Sequence, residues 1–203
     1  MSKRALKLVP ALLALSLSGC LTLGAPLARR VHPGAWQLEA AVGPSMVNRF
    51  DALDGFAYGY GGRALGRHFE LGALPYVVTF GGDVLVALAL PVRWDPFPYS
   101  WPVHLVPFAG PLGFWVPDKA LSMGAMTGLG LSLRLGELAE LYACSSAFLP
   151  VPQFLSSSVG VRFDLANGWE LGFGALLVNG NTSEKQGSLV LAAVTVSTLL
   201  GGK

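Results

Sequence analysis

The side chains of this chain that could do chemistry are few and scattered. His32, His68 and His104 have no partner at metal-ligand spacing, so no metal site and no cofactor are expected. Ser156, Ser157 and Ser158 lie in an extended run without a G-x-S-x-G elbow, which suits polar lining better than a nucleophile. Asp51 and Asp54 lack the dense oxygen spacing of a calcium loop and read as a solvated loop. Gly59, Gly61 and Gly62 precede no helix, so they form no phosphate cradle; glycine there suits a narrow interior. What remains is a set of charges: Arg63, Glu70, Arg134, Glu140, Arg162, Asp164 and Glu170. Arg63 and Glu70 flank one turn, and Arg134 and Glu140 flank another. Each pair is expected to meet across strands on one face. Such charges could line a binding site or a pore mouth. With both signs interspersed they can pair with one another, which offsets the cost of burying them and favours a salt-bridged plug. No nucleophile and base are assembled, so no enzyme is expected.

The element that positions three of these charges, Arg162, Asp164 and Glu170, is the stretch 156–178, two strands joined at Asn167 and Gly168. One face carries Val159, Val161, Phe163, Trp169, Leu171 and Phe173. The other carries Ser158, Gly160, Arg162, Asp164, Glu170, Gly172 and Gly174. Strand side chains alternate with period two, so a greasy face backs onto a face of charge and glycine. A narrow barrel in a membrane needs this division, lipid outside and small or charged groups within.

The pattern repeats along the chain. Trp36, Leu38, Ala40 and Val42 alternate with Gln37, Glu39, Ala41 and Gly43. Phe56, Tyr58 and Tyr60 alternate with Ala57, Gly59, Gly61 and Arg63, which sets the aromatics outward and Arg63 inward. Phe69, Leu71 and Ala73 oppose Glu70 and Gly72. Residues 83–94 are apolar on both faces, so periodicity does not orient them, and Pro91 sits badly in a central ladder. Residues 103–108 begin a strand that fades near Gly110 and Pro111. Residues 126–135 and 139–146 alternate cleanly, with Gly136 at the turn and Cys144 inward. A last strand covers 188–200. The expectation is an all-β, antiparallel up-and-down transmembrane β-barrel of about ten strands, with eight as the nearest alternative count. Outward Trp36, Phe69, Phe163 and Trp169 should mark one headgroup level, with Trp94 and Trp101 nearby; Phe56 and Tyr58 should mark the other.

The amino terminus has its own pattern. Lys3, Arg4 and Lys7 precede a short apolar run, too short for a stable membrane span, and Leu17-Ser18-Gly19-Cys20 follows. These four residues resemble the bacterial lipobox. The resemblance implies cleavage before Cys20, a lipid thioether on it and acylation of the new amino terminus. Several acyl chains together hold a protein on a membrane. Leu21 stands where an aspartate would retain many enteric lipoproteins at the inner membrane, so the resemblance implies the cell outer membrane. The expected organisation is a signal peptide at 1–19, a lipidated tether at 20–34 and a barrel at 35–203. The body resembles small bacterial outer-membrane β-barrels in pattern, though it ends Leu199-Leu200-Gly201-Gly202-Lys203 rather than in the aromatic residue such barrels often carry. Expected partners are membrane lipids and the outer-membrane assembly and lipoprotein-sorting machinery.

Bulk composition agrees. The 203 residues suit one domain, and 52% hydrophobic against 13% charged residues excludes disorder and an ordinary soluble surface. A net charge of +2, spread along the chain, excludes a nucleic-acid partner. The function implied is structural, adhesive or narrowly permeating. The alternative is a lipocalin-like periplasmic lipoprotein holding a hydrophobic small molecule, which the doubly apolar stretches at 83–92 and 188–200 would line.

Overall fold

The computed structural model describes residues 26–46, 55–80, 83–115, 121–149, 154–181 and 186–201. The expected signal peptide at 1–19, Cys20, Asp51 and Asp54 lie outside the described residues. Eleven strands follow one another: β1 (Trp36–Met46), β2 (Gly55–Ala64), β3 (Phe69–Phe80), β4 (Asp83–Ala89), β5 (Val92–Trp94), β6 (Val103–Trp115), β7 (Ser122–Leu135), β8 (Ala139–Leu149), β9 (Phe154–Asp164), β10 (Trp169–Asn181) and β11 (Gln186–Leu200). Every neighbouring pair is antiparallel, and β1 pairs with β11 while β2 pairs with β3, so the sheet closes. β4 and β5 are one stave. Ala89 pairs with Leu74 and Leu112, and Val92 pairs with Leu71 and Ala109, so the register runs unbroken past Pro91. The result is a ten-strand barrel without a free edge.

The two faces divide as alternation requires. Leu131, Val161 and Leu171 stand on the outer wall, while Arg162 is buried in the lumen. Trp36, Phe69, Trp94, Trp101, Phe163 and Trp169 are exposed around one rim. Closure also orients the stave that periodicity left open: Val86, Leu88, Leu90, Val92 and Trp94 face out, and Ala87, Ala89, Arg93 and Asp95 face in. β6 runs on to Trp115, beyond the end expected near Gly110. Its Pro107 and Pro111 point outward.

One strand is inverted relative to expectation. Phe56, Tyr58 and Tyr60 point into the lumen, so they mark no outer girdle. Trp115 stands exposed towards the second rim instead. Register explains the inversion. Trp36 faces Arg63 directly across β1 and β2, and cross-strand partners share a face, so an outward Trp36 sets Arg63 outward too. The lumen takes the aromatics because glycines opposite make room. A Cβ on Gly72 would lie 2.4 Å from the Tyr60 hydroxyl oxygen and within 2.7 Å of its ring. Gly160 and Gly174 make room for Tyr142 in the same way. Rings laid over glycines fill the centre together with Leu74, Phe108, Leu112 and Met126.

Candidate functional site

The site is the charged half of the lumen, towards the rim of turns 65–68, 95–102, 136–138 and 165–168. Arg162 is its hub. Inward on β9, it reaches Glu140 Oε2 at 3.2 Å on β8 and Glu39 Oε2 at 3.6 Å on β1, with its guanidinium 4.7 Å from the Tyr142 ring centroid. The Tyr58 hydroxyl donates to Glu39 Oε1 at 2.8 Å. Nearer solvent, Arg134 and Asp164 pair at 3.7 Å. Arg134 and Glu140 are register partners, but the acid turns to Arg162.

A second group forms around Arg93, which is fully buried. Its Nη1 donates to Glu70 Oε1 at 2.7 Å and to Gln37 Oε1 at 3.0 Å. The Tyr60 hydroxyl also donates to Glu70. Glu70 therefore pairs with Arg93, and the expected pairing with Arg63 is corrected. Arg63 lies on the outer wall, over the Trp36 ring at 5.3 Å from its centroid.

Residues 26–34 are the main departure from the sequence reading. Rather than forming a tether, the described residues turn into the lumen. A 3-10 turn at Pro26–Ala28 is buried, and Leu27 and Ala28 are wholly sealed from solvent. Arg29 follows, 1% exposed, and pairs with Glu170. Glu170 Oε2 also accepts from Ser197 Oγ at 2.9 Å. The carbonyl of Arg29 accepts from Arg93 Nη2, and that of Pro26 from Gln37 Nε2 at 3.4 Å. The Val31 amide donates to Asp95 Oδ2 at 3.2 Å, the same oxygen that meets His104 Nδ1 at 2.7 Å. Against the far wall, a Cβ on Gly130 would come within 2.4 Å of Ala28 Cα. Only glycine lets the segment approach β7 so closely. Outside the lumen Arg30 stacks 4.1 Å over the Tyr99 ring, whose hydroxyl lies 2.9 Å from His32 Nδ1. Burial first, then the positive charges of Arg29 and Arg30, hold His32 far below the usual imidazole range.

The structure thus gathers Arg134, Glu140, Arg162, Asp164 and Glu170 at one end of the lumen, places Glu70 nearby with Arg93, and excludes Arg63. Sequence reasoning missed Arg29, Gln37, Glu39, Tyr58, Arg93, Asp95 and His104. Glu39 was legible as an inward charge by parity; Arg29 had no signal, since it precedes the first strand. Chemically the arrangement is a stopper. Charges are met by opposite charges or hydrogen-bond partners, and a peptide segment is clamped across the lumen by backbone and side-chain bonds. Among the described residues no three His, Cys, Asp or Glu side chains converge as a metal ion would need.

No protein-family model and no curated protein matches the chain. Solved structures similar to it are membrane barrels. The N-terminal β-barrel domain of Pseudomonas aeruginosa OprF is 9% identical with a TM-score of 0.42, covering 84% of this chain and 100% of its own. The outer membrane protein OprG of the same organism is 10% identical with a TM-score of 0.38, covering 85% and 99%. The translocator domain of the autotransporter NalP from Neisseria meningitidis is 11% identical with a TM-score of 0.41, covering 96% and 95%. At these scores the likeness transfers no residue role.

Proposed function

We propose that this chain is an outer-membrane β-barrel lipoprotein, anchored through Cys20, whose lumen is held shut by residues 26–31. Its role is structural or adhesive rather than enzymatic. The observation that supports this best is the pairing of an apolar outer wall with a lumen stoppered by the chain's own segment. A soluble carrier needs the reverse, a polar outside and a free apolar centre; here Tyr58, Tyr76, Phe108 and Leu74 occupy the centre. The rim that receives residues 26–35 faces the periplasm, because the lipidated end is delivered from that side. Five residues separate Cys20 from Pro26, and the chain between the two spans at most about 21 Å when extended. The anchor therefore lies close to the barrel mouth. Sorting machinery for lipoproteins and assembly machinery for barrels are the partners this reading requires.

Carbonate washing of membranes and gel mobility before and after boiling test it. The expected protein stays in the pellet, shifts on heating and carries a lipid mass that Cys20→Ser removes. In planar bilayers the purified barrel should stay closed. A chain that carbonate releases and heating does not shift sinks the barrel; a steady conductance sinks the stopper.

A further inference from the structure

The outer wall carries a shallow, open recess of about 550 Å³ that runs from β10 and β11 over β1, β2 and β3. Ala40, Gly59, Gly61 and Ala73 line its floor, and Leu38 and Trp169 stand beside it. The lumen does not require these glycines. A Cβ on Gly59 would meet only Pro75 Cγ at 3.8 Å, and one on Gly61 only Leu38 Cδ2 at 3.7 Å, both ordinary contacts. Neither residue has a positive φ. Strands favour larger side chains, so the hollow is not a by-product of packing as it is at Gly72 or Gly160.

A cation stands beyond it on the same face of β2. Arg63 is the next outward residue after Gly61 towards the periplasmic rim, held over Trp36, and Arg67 is exposed in the adjoining turn. Among the described residues no carboxylate pairs with Arg63. From Arg63 to Gly59 the strand covers about 13 Å, or about 10 Å of depth at the usual tilt of a membrane barrel strand. That is most of one leaflet's hydrocarbon, about 15 Å. A positive charge at headgroup level above an apolar trough of this depth complements a phosphate joined to an acyl chain. A second copy docking by two-fold symmetry would set Arg63 near its own equivalent, like charge against like.

We infer that this recess holds one anionic phospholipid, its phosphate at Arg63 and an acyl chain along Gly61 and Gly59. The inference rests on the membrane-barrel reading. The full chain, extracted in mild detergent and passed through nanodiscs of phosphatidylcholine with a minor fraction of phosphatidylglycerol, is examined by native mass spectrometry. Wild type and Ala143→Leu, on the outward face of β8 across the barrel, should each retain one phosphatidylglycerol. Arg63→Gln should retain it about fivefold less, and Gly61→Leu, which fills the floor, should lose it. Equal retention in all four proteins overturns the site, as does a dimer that Gly61→Leu abolishes. A wild type that shows the heat-dependent gel shift but carries no lipid overturns the site and leaves the barrel. A wild type without the shift overturns both.

Discussion

Gly130→Ala should loosen the segment that closes the lumen while leaving the wall intact. The new methyl points inward from β7, where it would lie 2.4 Å from Ala28 Cα and 2.6 Å from the Leu27 carbonyl oxygen. Both are backbone atoms, and Leu27 and Ala28 are fully enclosed, so no side chain can swing aside. Overpacking of this kind costs about 1–3 kcal/mol. Trypsin reads the effect, because Arg29 and Arg30 are cleavable only once the segment leaves. When opening is fast relative to cleavage, the rate follows the open population. It should rise between about fivefold and 150-fold, the range that 1–3 kcal/mol spans. Gly61→Ala, whose methyl meets only Leu38 at 3.7 Å, serves as the control and should leave the rate unchanged. If Gly130→Ala keeps its heat-dependent gel shift and is cut no faster than wild type, the close approach of Ala28 to β7 is wrong, and with it the stopper.

The remaining predictions concern the buried pairs, the lipid face and pH. Arg93→Met strands Glu70 and the Arg29 carbonyl in the lumen and should cost about 3–5 kcal/mol in urea unfolding from micelles, most of it regained in Arg93→Met/Glu70→Gln. A loss within the range of an exposed pair, below about 1 kcal/mol, would contradict the burial of this network. Val159→Arg puts a charge on the outer wall and should cost about 2–4 kcal/mol of folding into vesicles; a water-facing position would tolerate it within about 0.5 kcal/mol. His32 stays neutral when seated, whereas the released segment takes up a proton below about pH 6.5. The folded-state value is depressed, so the seat is at full strength above that pH and weakens as pH falls through it. Trypsin cleavage at Arg29 and Arg30 should accelerate on moving from pH 7.5 to pH 5.5 relative to an exposed control peptide, and His32→Gln should flatten the dependence.

Local alternation determined most of the wall. Between Thr127 and Phe173 the large apolar side chains and the charged or glycine positions differ so plainly that period two alone assigns each face. It also assigned Glu140, Arg162, Asp164 and Glu170 to one inner surface. Closure decided what alternation could not. In β2 the aromatics alternate with glycine and alanine, and a bulky ring suits either hydrocarbon or a lumen opposite glycine. The register of Trp36 against Arg63, a pairing between strands, selected the lumen. Residues 83–94 are apolar on both faces, so only their neighbours Leu71, Leu74, Ala109 and Leu112 could orient them. The ion partners and the stopper lie further beyond local pattern. Arg29 meets Glu170 across 141 positions of sequence, and Gly130 admits Ala28, which is equally remote from any local pattern. Periodicity reports which solvent a side chain meets; which other side chain it meets depends on how the sheet closes, and that is a property of the whole barrel.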